Sequence, residues 1–234
     1  MKKNHDLGAR LSTPQVILGW CYLPVYLFLL GWGIQKLFGI LGLEGSPLML
    51  NSVFFCTNFA VVVLGFASWL KRSFRSFTEH FWAFIQTLIL GFALYYFTQL
   101  ILSTALMLIF GEKSAVNNEV VGGLVYENST LMALFLILLA PLTEEVLIRG
   151  VVFGSLHKVN RYLAYVASIL LFSFMHVWQY FVALDFVTAV YNLCLYLPAG
   201  IALGWTYEKS GTIWCPVVLH AIINAIAYGV MIAL

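Results

Sequence analysis

An acidic pair followed by an arginine lies inside an apolar stretch of the sequence, LLAPLTEEVLIRGVVF. Glu145 and Arg149 are four residues apart, so on a helix they share one face and can form an ion pair. Glu144 points about 100° away from that face, because a helix turns once in 3.6 residues. The spacing predicts that Arg149 neutralises Glu145 and leaves Glu144 free to face a cavity. The alternative is that all three side chains form one ion-pair cluster that only holds helices together.

Two later apolar stretches carry a histidine each. ILLFSFMHVWQYF holds His176 about mid-span, one turn after Phe172, and WCPVVLHAIINAIAYG places His220 and Asn224 on one helix face. Ionisable side chains are costly inside a membrane and mark functional sites there. Alone, His176 fits a packing role and Asn224 fits a hydrogen bond between helices. Taken with Glu144, they predict one site of an acid, two imidazoles and an amide at a common depth.

These groups together are suited to hydrolysis of an acyl bond, most naturally a peptide bond. A carboxylate and an imidazole that converge on a water molecule can act as a general base. A second imidazole and an amide can donate hydrogen bonds to the oxyanion that forms when a carbonyl is attacked. Zinc held by two His and one or two Glu is the competing chemistry. Because the H-E-x-x-H spacing is absent and Glu145 already has a partner, water activation without a metal or cofactor is favoured.

The elements that must position these residues are membrane helices. Of the 234 residues, 62% are hydrophobic and 9% are charged, whereas a soluble domain carries about 25% charged residues. A net charge of +2, with no basic run between aromatic residues, does not indicate nucleic-acid binding. The four cysteines form no C-x-x-C pair and are predicted to be small buried apolar residues.

Seven stretches approach the length of about 20 apolar residues that a membrane helix needs. They are approximately 14–39, 48–70, 80–110, 130–156, 162–179, 181–207 and 212–234. We therefore predict an all-α fold, a polytopic transmembrane helical bundle of about seven to eight helices surrounded by membrane lipid. It is expected to be a single membrane domain, 1–234, in which 1–110 supplies three spans and 130–234 supplies four spans with the site. The polar loop from Gly111 to Ser129 is interpreted as a linker between these halves.

Basic residues are distributed unevenly between the predicted loops. One side carries Lys2, Lys3, Arg10, Lys71, Arg72, Arg75, Lys158, Arg161 and Lys209, and the other carries Lys36 and Lys113. The positive-inside rule then predicts a cytoplasmic N-terminus, an external C-terminus and an external loop at 111–129. The first apolar run is expected to be a retained span rather than a cleaved signal peptide.

Three motifs occur in order in the second half of the chain: E-E-x-x-x-R at Glu144–Arg149, F-x-x-x-H at Phe172–His176 and H-x-x-x-N at His220–Asn224. With Gly150 after the arginine, they resemble the motifs of the CPBP family, the CAAX proteases and bacteriocin-processing enzymes also called the Abi family. The resemblance covers roughly residues 138–228 and includes the stretch GIALGWTYEKSGTIWCPVVLHAIINA. It implies an all-helical membrane bundle whose catalytic cavity opens toward the cytoplasmic side.

The resemblance also implies a role for each motif residue. Glu144 and His176 would activate the attacking water, and His220 and Asn224 would form the oxyanion hole. Glu145 and Arg149 would support the site.

The implied function is an intramembrane endopeptidase that acts on a membrane-associated peptide or protein. Members of the family trim prenylated CAAX proteins, mature peptides, or act in bacteriocin immunity and signalling. The short chain and minimal loops favour a bacterial cell-membrane protein that cuts a peptide. Two alternatives stay open: a non-catalytic membrane partner, such as an immunity or signalling regulator, and a proton-coupled transporter. Inverted repeats with paired broken helices, typical of transporters, are not evident, and no sequence feature specifies an oligomeric state.

Overall fold

The computed structural model describes residues 7–43 and 45–233, which contain helices and loops and no strand. Eight helices follow one another along the chain: α1 Thr13–Ile40, α2 Pro47–Glu79, α3 Phe81–Phe110, α4 Val116–Glu127, α5 Ser129–His157, α6 Arg161–Tyr180, α7 Phe186–Ser210 and α8 Trp214–Ala233. Within these described ranges, all but α4 are long and apolar enough to cross a membrane. The prediction of a polytopic all-α bundle is confirmed. The main difference in bounds is α2, which continues past residue 70 to Glu79.

One end of the bundle, here called the basic end, gathers most of the basic residues. The segment before α1 meets α2 there, because Arg72 Nη2 donates to the Arg10 carbonyl at 3.2 Å. The loop between α7 and α8 meets the same part of α2, with Ser73 Oγ 2.9 Å from Thr212 Oγ1. Lys2 and Lys3, which belong to the same predicted side, lie outside the described residues.

The opposite end, here called the α4 end, is covered by a helix that sequence analysis interpreted as a loop. The side chain of Asn192 fixes its start by accepting from the Val116 amide and donating to the Ser114 carbonyl, both at 3.0 Å. Leu124 and Val125 of α4 are buried in a small apolar cluster with the first turns of α5. Two glycines and several polar residues obscure the helical period of VNNEVVGGLVYE, which is why the prediction of a plain loop was wrong.

Helix α5 is the centre of the bundle. Of its most apolar stretch, 61% is buried, against 6% for α3. Every residue of the range 140–153 is buried. The acidic pair and the arginine therefore lie where neither lipid nor bulk water reaches them easily.

The outer helices present apolar side chains outward, as a lipid environment allows. Ile40, Leu64 and Leu108 are each at least 80% exposed at this surface. The cysteines show the same effect: Cys215 is buried, but Cys21 and Cys56 are exposed. The prediction of buried cysteines was wrong for those two, because in a membrane protein an apolar position need not face the protein interior.

Candidate active site

An ion pair at the centre of α5 anchors the site. Arg149 Nη1 donates to Glu145 Oε1 at 2.8 Å, and both side chains are fully buried. The guanidinium also donates to the Gly200 carbonyl of α7 at 3.4 Å and lies 4.4 Å from the centroid of the Phe172 ring. A buried charge is tolerated when it is paired and hydrogen-bonded in this way. The pairing that the spacing predicted is present.

The same carboxylate oxygen holds His220 of α8. His220 Nδ1 lies 2.9 Å from Glu145 Oε1. Because a carboxylate paired with arginine can only accept, the ring proton is assigned to Nδ1. Glu145 therefore fixes the orientation of His220, whose other nitrogen, Nε2, faces Glu144 Oε2 at 3.9 Å.

His176 approaches Glu144 from α6. Its Nδ1 donates to the Phe172 carbonyl at 2.8 Å, which leaves the Nε2 lone pair 3.8 Å from Glu144 Oε2. The ring also stacks on Tyr196 with centroids 4.3 Å apart and planes at 20°. His176 lies in the last turn before the 3-10 turn Trp178–Tyr180, so the prediction of a mid-span position was wrong. That position brings the ring nearer to the α4 end.

Glu144 has one oxygen without a hydrogen bond to any residue in the part of the chain that the structure describes. Its Oε2 is buried and unpartnered among the described residues. The separations of 3.8 and 3.9 Å from the two imidazole nitrogens are too long for direct hydrogen bonds. Such a gap between polar atoms fits one bridging water molecule. The acid and the two imidazoles thus converge on a point where a water could be held.

Phe172 explains why an aromatic residue precedes His176 by one turn. Its ring centroid is 4.7 Å from that of His176 and 5.6 Å from that of His220. The same ring also contacts the Arg149 guanidinium, as described above. One buried ring therefore packs against the cation and both imidazoles.

Asn224 is engaged by a backbone carbonyl. Residues Phe135–Leu139 form a π turn, in which the amide of Ala140 bonds to the carbonyl five residues back. If this pattern continued, the amide of residue 141 would donate to the Leu136 carbonyl, again five residues back. Residue 141 is proline, however, and has no N–H to donate. Asn224 Nδ2 donates to the Leu136 carbonyl at 2.8 Å and so replaces the missing donor. The second N–H of this amide remains for another acceptor.

A cavity of about 310 Å³ extends from these groups to the α4 end. Glu144, His176 and Asn224 line it, whereas Glu145, Arg149 and His220 lie behind them. Tyrosine and asparagine residues that sequence analysis did not single out complete the wall, and they include Tyr26, Tyr196, Asn51, Asn117 and Asn118.

Tyr196 links the site to the helix that covers it. Its hydroxyl accepts from Asn117 Nδ2 at 3.1 Å and lies 3.3 Å from Asn118 Oδ1, while its ring supports His176. Helix α7 breaks at this residue, immediately before Leu197 and Pro198. The proline was a visible signal of a break, but the sequence did not show that the break would face the site.

A second buried acid, Glu208, was missed by sequence analysis. It receives two bonds from Arg161, at 2.6 and 2.8 Å, one from Tyr165 at 2.9 Å, and contacts His157 at 3.0 Å. Both carboxylate oxygens are therefore occupied, in contrast to Glu144. This cluster stabilises the basic end, and its partners are too distant in sequence for a local motif to reveal them.

Two expectations from the sequence exclude each other in this structure. The cavity opens beside α4, so the loop 111–129 and the cavity mouth share one end of the bundle. A loop outside the cell and a cavity open to the cytoplasm cannot both hold.

Among the described residues, no group of three or more His, Cys, Asp or Glu is arranged to hold a metal ion.

Comparison with known proteins supports the resemblance found from the motifs. Residues 126–226 match the family model described as Type II CAAX prenyl endopeptidase Rce1-like, and this range contains all three motifs. A Bacillus subtilis (strain 168) protein described as "Putative membrane peptidase YdiL" is 26% identical over 95 residues. That alignment covers 40% of this chain and 34% of the relative, so the chain matches about a third of its length. No solved structure matches the chain.

Proposed function

We propose that this integral membrane protein is an endopeptidase that hydrolyses a peptide bond of a membrane-associated peptide or protein. The observation that carries the proposal is the buried, unpartnered Glu144 Oε2, which faces Nε2 of His176 and of His220 at the inner end of the cavity. The family match over residues 126–226 supports a membrane protease of the CAAX type.

In the proposed reaction, one water molecule lies between Glu144 and His176. The neutral His176 ring accepts one water hydrogen at Nε2, since its own proton is used by the Phe172 carbonyl. Glu144 accepts the other hydrogen and removes it as the water oxygen attacks the carbonyl carbon of the substrate. The proton is then delivered to the leaving amine, so that water and one peptide bond become a carboxylic acid and an amine.

The oxyanion is proposed to be stabilised by His220 and Asn224. His220 donates from Nε2 when both ring nitrogens carry a proton, with Glu145 Oε1 accepting the hydrogen bond from Nδ1. Asn224 contributes the amide N–H that the Leu136 carbonyl does not use. Donors held in place before the reaction stabilise developing charge without reorganisation. Arg149 donates to the same Glu145 oxygen in this arrangement.

The direct test compares wild type with Glu144→Gln and with the matched control Glu127→Gln, an exposed residue of α4. Each protein is purified in detergent and incubated with a membrane-anchored peptide library, with and without a chelator, and products are identified by mass spectrometry. Loss of a general acid–base group lowers rates by about 10²–10⁴-fold, which is the expected loss for Glu144→Gln. Glu127→Gln should cleave as wild type does.

The other outcomes separate the alternatives. Loss of cleavage in the chelator would indicate the zinc chemistry instead of metal-free water activation. Normal cleavage by a folded Glu144→Gln variant would refute the assigned role of Glu144. A phenotype in cells that survives this substitution would favour the non-catalytic partner, and substrate flux in proteoliposomes that it abolishes would favour the transporter.

A further inference from the structure

The distribution of basic residues relative to the cavity carries an inference about the side of the membrane on which the site works. At the basic end the described chain places Arg10, Lys71, Arg72, Arg75, Lys158, Arg161 and Lys209. At the α4 end it places Lys36 and Lys113. Only Lys and Arg count in the positive-inside rule, so the ion pairs of Arg75 and Arg161 with glutamates do not weaken the comparison. The basic end is therefore the cytoplasmic end.

The path of the chain agrees with this assignment. The seven spanning helices of the described residues run alternately between the two ends, and no re-entrant segment breaks the order. Contacts at the two ends are consistent with it, since Ser73 meets Thr212 at one end and Ser129 meets Tyr228 at the other. The same alternation places α4 on the non-cytoplasmic side.

The cavity mouth lies at that same side. Residues of α4, the first turns of α2 and the last turns of α8 line it, and none of the basic end does. We propose that the catalytic cavity opens on the non-cytoplasmic side of the membrane, and that the substrate is a membrane-anchored peptide whose scissile segment is presented from that side. The part of this inference that concerns the substrate rests on the proposed function. The part that concerns the side on which the cavity opens does not.

The side chains that line the cavity limit the kind of substrate segment that can bind there. Apart from Glu144, the described residues that line the cavity carry no formal charge; amide and hydroxyl groups such as those of Asn51, Asn117, Gln179 and Tyr180 supply its polar surface. Such groups hydrogen-bond to a peptide backbone and offer no partner to a charged side chain. The segment that enters is therefore expected to be extended and uncharged next to the scissile bond.

The experiment measures labelling of single cysteines by a membrane-impermeant maleimide in intact cells. The background lacks the native thiols Cys21, Cys56, Cys194 and Cys215. Two exposed positions at the α4 end, Tyr126→Cys and Val182→Cys, should react in intact cells. Two at the basic end, Val159→Cys and Lys209→Cys, should react only after permeabilisation. Because two positions are tested at each end, the side of that end can still be determined when one variant fails to accumulate.

A fifth variant, Val121→Cys, tests the cavity itself, because Val121 lines it without belonging to the catalytic groups. We expect labelling from outside and a loss of cleavage once a bulky maleimide is attached. Labelling of the α4 end only after permeabilisation would overturn the proposal. If wild type cleaves nothing, the labelling pattern still decides the side of the cavity, so failure of the proposed function is distinguishable from failure of this inference.

Discussion

The hydrogen bond between Asn224 and the Leu136 carbonyl allows a test of why an asparagine stands in the third motif. Replacing Asn224 with alanine removes the donor that substitutes for the missing amide of Pro141. A polar group left unsatisfied in the protein interior costs about 1–3 kcal/mol. For a chain of this size, each kcal/mol lowers the midpoint of thermal unfolding by about 2–4 °C. Asn224→Ala should therefore unfold measurably earlier than wild type in detergent, as followed by tryptophan fluorescence.

A second substitution should reverse the loss if this account is right. Pro141→Ala supplies an N–H to the same turn of α5, so the double variant should regain most of the stability that Asn224→Ala loses. Pro198→Ala is the matched control, because Pro198 lies in the first turn after the break in α7, where an amide has no intrahelical partner. In the Asn224→Ala background it should restore nothing.

Two results would refute the reasoning about Asn224. One is an unchanged unfolding midpoint for Asn224→Ala, and the other is equal rescue by Pro141→Ala and Pro198→Ala. The cleavage assay then separates structure from chemistry. A rescued double variant that stays inactive supports the proposed oxyanion role of Asn224, whereas activity that returns with stability leaves it only a structural one.

Two further predictions concern the packing and charge around Arg149. Arg149→Met should destabilise the protein by about 3–5 kcal/mol, because it strands a buried carboxylate, and adding Glu145→Gln should recover most of that loss. Gly150→Ala should cost about 1–3 kcal/mol, since its Cβ would lie 2.7 Å from the Trp69 ring. Gly122→Ala, where a Cβ meets nothing within 4 Å, should not destabilise. Thermal unfolding midpoints measured in detergent test both the Arg149 and the Gly150 prediction. Equal midpoints for Gly150→Ala and Gly122→Ala would contradict the Gly150 prediction.

The features that could be predicted from sequence are those that depend on local spacing. Seven apolar stretches determine seven spans, because lipid imposes length and composition on each helix separately. The contact between Glu145 and Arg149 follows from their separation by one turn. The same holds for the backbone bond of His176, whose acceptor is the residue one turn earlier.

The features that could not be predicted depend on contacts between distant segments. The bond between His220 and Glu145 joins residues 75 positions apart, and the stacking of Tyr196 on His176 needs the break in α7. Helix α4 is short and weakly patterned, and it is stabilised by Asn192 from another helix. The sequence therefore could not predict that α4 lies beside the cavity. For the same reason it could not reveal that an external loop at 111–129 conflicts with a cytoplasmic opening of the cavity.

The three motifs share a spacing of one turn, and the structure shows what that spacing achieves. Within the first two motifs, one residue or its backbone holds another in place: Arg149 binds Glu145, and Phe172 binds His176 through both its carbonyl and its ring. In the third motif the supports come from another helix, because Glu145 holds His220 and the Leu136 carbonyl holds Asn224. The supports converge on Glu145, which holds Arg149 and His220 through a single oxygen. Glu144 lies next to Glu145 on the same helix, and its Oε2 has no hydrogen-bond partner among the residues that the structure describes. The proposed water activation requires a buried carboxylate oxygen that is held in place and free to accept a hydrogen, and under that proposal the two adjacent glutamates divide the work: Glu145 forms the ion pair and Glu144 activates the water.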